Sequence, residues 1–231
     1  MKNLKLLKSS FADIVDEVLI KSEERKRNHG EVFTSKREVN NMLDLVLSET
    51  LRIESKFLET ACGTGNFLCE ILLRKISVIE KKYIHSQIDF EKYSLIAISS
   101  LYGIDILEDN VIYTQERLYK IFEEKYYFYY LTKCKKNYLK SIKFILKKNI
   151  IHGDALTLKT ISQKPSAIIF CDWSFIGSTN IKRRDFSFKE LIAGQPFEGP
   201  NLFSDLGEDA FIPDPIKEYP ATDFLKIHEN H

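Results

Sequence analysis

Residues 57–67, FLETACGTGNF, combine an acid with two closely spaced glycines, which are residue types that can bind a ligand. Glu59 lies where a short apolar strand would end, and Gly63 and Gly65 follow it. Glycine lets the backbone approach a ligand closely because it has no Cβ. Asn66 begins an apolar helical pattern, and the free N–H groups of a helix N-terminus suit a polar or anionic ligand group. The stretch therefore predicts a ligand-binding turn, and an ordinary strand-to-helix turn is the alternative interpretation.

Acidic residues also close later apolar stretches of the chain. Asp105 ends LYGID (101–105), and Asp154 ends IIHGD (150–154). An acid at the carboxyl end of a strand, one unit after a glycine loop, can accept hydrogen bonds from both hydroxyls of a ribose. We expect this role for Asp105, with an N-cap of the next helix as the alternative. For Asp154 the alternative is a cap on its own turn.

A further apolar stretch, residues 167–170, is followed by CDWSF (171–175). A fully apolar strand suits the middle of a parallel sheet, where both faces are covered. Asp172 would then lie at the carboxyl end of that strand, where a carboxylate can accept a hydrogen bond from an amine. Phe175 follows three residues later and offers an aromatic ring for stacking. Trp173, the single tryptophan of the chain, lies between them as a base-stacking platform or a plug of the pocket.

Strands and helices alternate around these residues. That order predicts an α/β fold with a doubly wound, mostly parallel, Rossmann-like sheet and helices on both of its faces. Ligands of such sheets bind at the carboxyl ends of the strands. Residues 1–28 predict an N-terminal amphipathic helix, residues 29–192 the ligand-binding domain, and residues 193–231, where Gly and Pro recur, a loop-rich tail.

The composition bounds the class of protein. The chain has 231 residues, 44% of them hydrophobic, and a formal net charge of +1. We therefore expect one domain without a global field that draws it to nucleic acid. The four cysteines show no metal-type spacing, which is typical of reduced thiols in a cytoplasmic protein without a metal site. No apolar run approaches the roughly 18 residues of a membrane span, so we expect no membrane partner.

The loop ACGTGNF (61–67) resembles the cofactor loop of S-adenosylmethionine-dependent DNA amino-methyltransferases of the adenine-specific, restriction–modification kind. That family usually has Asp-Pro-Ala-Cys-Gly-[Ser/Thr]-Gly, and Glu59 and Thr60 stand here in place of Asp-Pro. Upstream, GEVFTS (30–35) is similar to the family's Gly-Glu-x-[Phe/Tyr]-Thr-Pro segment, with serine in place of the proline. The resemblance covers residues 29–177 and implies the methyltransferase version of the Rossmann-like sheet.

The resemblance implies that the chain binds S-adenosyl-L-methionine through this loop. It places Glu59 and Gly63 on the methionine part of the cofactor, Asp105 on the ribose, Ile106 on the adenine ring and Asp154 on the exocyclic amine. The implied cofactor-binding residues are Phe33, Thr34, Glu59, Ala61, Gly63, Asn66, Phe67, Asp105, Ile106, Asp154 and Ala155.

CDWSF stands at the family's catalytic position, [Asp/Asn/Ser]-Pro-Pro-[Tyr/Phe/Trp]. By that resemblance Asp172 accepts hydrogen bonds from the target amine and aligns its nitrogen lone pair with the methyl-sulfonium. Phe175 stacks on a base flipped out of the duplex. Trp173 and Ser174 replace both prolines of the motif, so the rigid turn that would hold a backbone carbonyl beside the amine is missing.

Two functions are compatible with this pattern. The first is a DNA adenine methyltransferase that transfers the methyl group to the exocyclic amine of a flipped base; a cytosine amine, RNA or a protein amide remain open as targets. The second is a non-catalytic methyltransferase-like cofactor-binding subunit or DNA-binding module. A dinucleotide-dependent oxidoreductase is a third interpretation, and it requires a glycine where Leu68 stands.

DNA is the partner that this family implies. Trp173, Lys182, Arg183 and Arg184 are predicted to bind the DNA substrate, the basic residues through its phosphates, with a solvated turn as the alternative. A target-recognition domain has on the order of a hundred residues, and residues 178–231 leave no room for one. We therefore expect a separate target-recognition or restriction subunit as a second partner.

Overall fold

The computed structural model describes residues 34–193 and 214–229. The predicted N-terminal helix of residues 1–28 and the predicted cofactor residue Phe33 lie outside the described residues. The described part has a mixed α/β fold, which confirms the predicted class. Its strands form two sheets rather than one mostly parallel sheet.

The described elements follow one another in a helix-rich order. The helices are α1 (Lys36–Asp44), α2 (Leu47–Leu51), α3 (Asn66–Tyr83), α4 (Gln87–Ser99), α5 (Glu108–Tyr130), α6 (Lys136–Asn149) and α7 (Phe188–Ala193), with 3₁₀ turns at Leu131–Lys133 and Ile227–Glu229. The strands are β1 (Phe57–Glu59), β2 (Leu101–Asp105), β3 (Ile150–Asp154), β4 (Lys159–Thr160), β5 (Ile169–Ile176), β6 (Asn180–Ser187), β7 (Lys217–Glu218) and β8 (Thr222–Asp223).

The first sheet has the strand order β1-β2-β3-β4. β1, β2 and β3 are parallel, in the register Phe57↔Leu101 and Gly103↔Ile150, and β4 pairs antiparallel with β3. Parallel strands end on the same side of a sheet. We call the side where Glu59 and Asp105 lie the carboxyl edge, and the side where β1, β2 and β3 begin the amino edge.

The second sheet corrects the expectation that residues 167–170 run as a central parallel strand. β5 pairs antiparallel with β6 along its whole length, from Ile169↔Ser187 to Ile176↔Asn180. The turn between them begins at Gly177, whose φ of 70° lies in the left-handed region that glycine favours. Two apolar-rich segments separated by a short Gly-containing turn form a hairpin more readily than a crossover, which needs a long connection.

Two hydrophobic clusters lie on opposite sides of β2, because successive strand residues point to opposite faces. Leu101 and Ile150 belong to the large cluster that contains the buried sides of α3, α4, α5 and α6. Tyr102 and Ile104 form a smaller cluster with residues from the start of β5 and from α7, namely Ile168, Phe170 and Phe188. Among the described residues, this small cluster therefore covers the second face of the parallel strands.

Residues 214–229 are part of the fold, within the stretch 193–231 that the sequence predicts to be a loop-rich tail. β7 and β8 both pair with β6, in the register Arg184↔Glu218 and Ile181↔Thr222. Phe224 is 1% exposed and lies in the large cluster. The described segment 214–229 therefore completes the second sheet.

Lys75 of α3 is fully buried and connects the segments that lead into β1 and β2. Its Nζ donates hydrogen bonds to the carbonyl oxygen of Ser55 and the hydroxyl of Ser100. The same ammonium lies 5.1 Å from the centre of the Phe57 ring. Burial lowers the pKa of Lys75 from its ordinary value of 10.5 to about 7, because an ammonium loses its hydration inside the protein.

This lysine makes the stability of the protein depend on pH. Between pH 7 and pH 10.5 the unfolded state binds more protons at Lys75 than the folded state does, so the free energy of unfolding rises with pH. Because of Lys75, we expect the free energy of unfolding to increase by about 2 kcal/mol from pH 7 to pH 9. The variant Lys75→Met should lack this increase. Urea unfolding followed by circular dichroism at both pH values measures it. Lys81→Met, on an exposed position of α3, should keep the wild-type rise, and the same rise in Lys75→Met would contradict the prediction.

Candidate functional site

The carboxyl edge brings Glu59 and Asp105 together. Glu59 is the last residue of β1 and pairs with Gly103, two residues before Asp105 at the end of β2. The glycine loop, residues 60–65, leaves β1 at the same place and leads into α3. Two acids and a glycine loop that are separate in sequence therefore form one site.

The loop conformation requires its glycines. Gly63 and Gly65 have φ values of 52° and 78°, both in the left-handed region. Gly65 also lies against α5, where an added Cβ would come within 2.7 Å of Cγ2 of Thr114. A bond of 2.8 Å from Gly65 N–H to the carbonyl oxygen of Cys62 closes the turn. At Gly65, space and backbone conformation both exclude a side chain.

Two residues of α5 hold the loop, and the sequence interpretation missed both. The hydroxyl of Thr114 donates to the carbonyl oxygen of Gly63 at 3.0 Å. The guanidinium of Arg117 donates to the carbonyl oxygen of Thr64 and, at 2.9 Å, to Oδ1 of Asn66. Thr114 and Arg117 are three residues apart and share a face of the helix, but no local pattern indicates which loop that face contacts.

Asp105 joins the loop to the end of β2. Its Oδ2 accepts a hydrogen bond of 2.7 Å from the N–H of Gly63. Its Oδ1 accepts from the N–H of Leu107 at 2.9 Å and from Nδ2 of Asn110 at 3.1 Å. Because each carboxylate oxygen accepts about two bonds, Oδ2 retains one position for a further donor. The predicted ribose role of Asp105 stays a prediction, and its location beside the loop is compatible with that role.

Glu59 has unused hydrogen-bonding capacity at the same place. Its Oε2 is buried and accepts no hydrogen bond from the part of the chain that the structure describes. Burial, and next the negative charge of Asp105, raise the pKa of Glu59 to about 8. A buried carboxyl oxygen without a donor is costly, so this position favours a ligand that brings a donor or a positive charge.

Other predicted cofactor residues surround the loop at differing distances from the two acids. Nδ2 of Asn66 donates to the carbonyl oxygen of Thr34 at 3.3 Å, which ties the segment before α1 to the loop. Phe67 packs on the large cluster, whereas Ala61 is exposed. Ile106, which directly follows Asp105, is 44% exposed and offers an apolar surface at the edge.

The third acid of the predicted set caps its own turn. Oδ1 of Asp154 accepts from the N–H of Leu156 at 2.8 Å, and Oδ2 accepts from the hydroxyl of Thr157 at 3.0 Å. These bonds, that of Leu156 first, lower the pKa of Asp154. Ala155 packs against the smaller cluster. The structure therefore shows the capping alternative for the side chain of Asp154.

CDWSF lies at the amino edge, at the other end of the strands from the glycine loop. Asp172 forms an ion pair of 2.6 Å with Lys56, the residue before β1. Nε1 of Trp173 donates to Oδ1 of Asn149, the residue before β3, at 3.1 Å. β2 separates the two edges by about 13 Å. Asp172 and Trp173 therefore contact residues that precede β1 and β3, from a strand that pairs with β6 in the second sheet. The roles of Asp172 as amine acceptor and of Phe175 as base stacker stay predictions.

The carboxylate of Asp172 is already occupied. Arg184 and Ser174 both bond to Oδ2, at 2.7 Å and 2.8 Å, while Lys56 binds Oδ1. Burial alone would raise the pKa of Asp172, but Lys56 and the bonded donors outweigh it and lower the pKa. The Phe175 ring lies 6.2 Å from the Phe224 ring and 5.4 Å from Nζ of Lys92. Asp172 therefore serves as a joint between the two sheets.

The predicted DNA-binding residues are also engaged within the protein. Lys182 pairs with Glu218 at 2.6 Å, and Arg184 pairs with Asp172. Arg183 is 8% exposed and binds both carboxylate oxygens of Asp185 at 2.7 Å. Trp173 is also 8% exposed. Arg183 and Trp173 are therefore buried, and the predicted contacts of these residues with DNA stay predictions.

The close approach of Gly65 to Thr114 can be tested against a glycine with free space. We expect Gly65→Ala to lower the free energy of unfolding by about 3 kcal/mol, from backbone strain plus steric overlap. Gly177→Ala has a similar positive φ but meets nothing within 4 Å, so about 1 kcal/mol of strain is expected. Urea unfolding of both variants measures the difference. Equal losses would show that Thr114 does not confine the loop.

Comparison of the chain with protein-family models, with curated proteins and with solved structures gives no match. Within residues 34–193 and 214–229, no group of three or more His, Cys, Asp or Glu side chains is arranged to hold a metal ion. No helix in the same residues is both long enough and apolar enough to cross a membrane.

Proposed function

We propose that this chain binds S-adenosyl-L-methionine at the carboxyl edge and acts as the cofactor-binding subunit of a DNA adenine methyltransferase. The observation that carries the proposal is the buried Oε2 of Glu59, which has no donor among the described residues and lies beside Asp105 and the glycine loop. The cofactor carries an ammonium and a sulfonium, and two neighbouring carboxyl groups attract a cation.

Further features support the same ligand. Oδ2 of Asp105 has an acceptor position left for a ribose hydroxyl, and the exposed Ile106 beside it suits one face of an adenine. The order of parallel strand, glycine loop and helix supports assigning β1, α3 and β2 to a doubly wound, Rossmann-like methyltransferase sheet. The likeness of residues 61–67 to the methyltransferase loop supports this cofactor over a dinucleotide.

The ion pairs of Asp172 favour a cofactor-binding subunit over a complete methyltransferase. Lys56 and Arg184 hold its carboxylate at the amino edge, away from the proposed cofactor. In this proposal the groups that bind the target amine, and those that read the DNA sequence, belong to a separate target-recognition or catalytic subunit.

Cofactor binding is tested by isothermal titration calorimetry with S-adenosylmethionine. We expect one site per chain, and a loss of affinity of about tenfold or more, about 1.4 kcal/mol, in both Glu59→Gln and Asp105→Asn. Asp105→Asn removes a negative charge from the proposed cation site, and Glu59→Gln removes a carboxyl group that a cation bound beside it would keep ionised. Asp172→Asn is the matched control, since it removes a carboxylate at the amino edge, and it should bind like the wild type. No measurable heat with wild-type protein would refute the proposal.

A methyl-transfer assay distinguishes a cofactor-binding subunit from a complete methyltransferase. With tritiated S-adenosylmethionine and mixed duplex DNA, we expect no incorporation by the chain alone, because Asp172 lies far from the proposed cofactor. Incorporation that Asp172→Ala abolishes would instead support direct transfer with Asp172 as the amine acceptor. Cofactor binding in the same samples, measured by calorimetry, shows that the protein is folded.

A further inference from the structure

α6 has a charge pattern unlike those of the other long helices. Its sequence, KNYLKSIKFILKKN, contains no acidic residue. Lys136, Lys140, Lys143 and Lys147 follow one another at intervals of four, three and four residues, which places them on one face of the helix. We call these four residues the lysine row. All four are exposed.

The opposite face of α6 holds the helix firmly in the protein. Tyr138, Ile142 and Ile145 are fully buried, and Leu139 and Leu146 are 7% and 1% exposed. The lysine row is therefore fixed in direction by the core beneath it. Because the apolar face is already used, α6 has no apolar side left to insert into a lipid surface, as interfacial membrane helices do.

The lysine row is not neutralised within the described part of the chain. Other lysines nearby are neutralised by ion pairs: Lys135 pairs with Glu91, and Lys125 pairs with Glu80, each at 2.6 Å. No member of the row forms an ion pair with a carboxylate of residues 34–193 or 214–229, and Nζ of Lys143 lies 4.2 Å from the centre of the Tyr119 ring. A local positive field therefore exists on a chain whose formal net charge is only +1.

We propose that the lysine row binds the sugar–phosphate backbone of duplex DNA. The row extends over about 16 Å of helix, a length along which one DNA strand carries about five phosphates. Protein interfaces are depleted in lysine at their centre and need apolar residues there, whereas the apolar residues of α6 are buried under the row. Regularly spaced ammonium groups without an apolar centre fit a chain of phosphates.

This proposal deepens the proposed function, since it names the surface that holds the DNA, and it rests on that function for the choice of DNA as the polyanion. It also replaces the predicted phosphate contacts of residues 182–184. The carboxylates that pair with those side chains compete with any phosphate. The lysine row, by contrast, has no acidic partner to displace among the described residues.

Fluorescence anisotropy with a labelled duplex, in NaCl from 50 to 200 mM, tests the proposal. With four phosphates neutralised, the logarithm of the association constant should fall against the logarithm of the salt concentration with a slope of about −3.6, an affinity loss of about 150-fold over that range. The variant with Lys136, Lys140, Lys143 and Lys147 all changed to Gln should lose this binding and its salt dependence.

The matched control removes the same charge elsewhere on the surface. Lys81, Lys82, Lys159 and Lys164 are exposed, and their joint change to Gln should leave the slope near −3.6 and the affinity within about threefold of the wild type. An equal loss in both quadruple variants would overturn the proposal, because net charge alone would then explain binding. Thermal unfolding shows whether the variants remain folded.

Two further outcomes would also overturn it. One is the absence of duplex binding at 50 mM NaCl, and the other is tighter binding of polyglutamate or of phosphatidylserine vesicles than of the duplex. Calorimetry with S-adenosylmethionine on the wild-type protein, beside the duplex titration, distinguishes the two proposals. Retained cofactor binding without duplex binding in the wild type would refute the lysine row alone, and duplex binding without cofactor binding would refute the cofactor site alone.

Discussion

The hydrogen bond from the N–H of Gly63 to Asp105 is the contact on which the carboxyl edge depends. It connects the turn after β1 with the end of β2, and thus makes one site from two strands. Thr114 and Arg117 add bonds to the carbonyl oxygens of Gly63 and Thr64. The loop is therefore shaped by the protein's own groups. Glu59 is different, because its buried Oε2 accepts no hydrogen bond from residues 34–193 or 214–229.

The two ends of the parallel strands have separate tasks. At the carboxyl edge, acids and glycines leave room for a ligand. At the amino edge, Asp172 of the second sheet is paired with Lys56, the residue before β1, and with Arg184 of β6, so its charge links the second sheet to the segment that leads into the first. The residues that resemble a catalytic motif therefore make structural contacts here, since the strand that carries them pairs with β6 in the second sheet.

The location of Glu59 and Asp105 could be predicted from the sequence, since parallel strands that follow one another along the chain end at the same edge. The direction of β5 could not, because an apolar run such as residues 167–170 fits a parallel or an antiparallel neighbour equally well. The contacts of Thr114 and Arg117 with the loop span about fifty residues of chain and leave no local pattern. The burial of Phe224 could not be predicted either, because the Pro-rich sequence around it is typical of a loop.

The segment 214–229 also lies against α6. Phe224 packs edge-on against Tyr138 at 5.7 Å, and the hydroxyl of Ser141 lies 3.2 Å from Nδ1 of His228. During synthesis α6 leaves the ribosome well before these residues do. Until they arrive, the part of the Tyr138 ring that Phe224 covers is exposed, so the buried side of the lysine helix is completed only after the glycine loop and its acids have been synthesised.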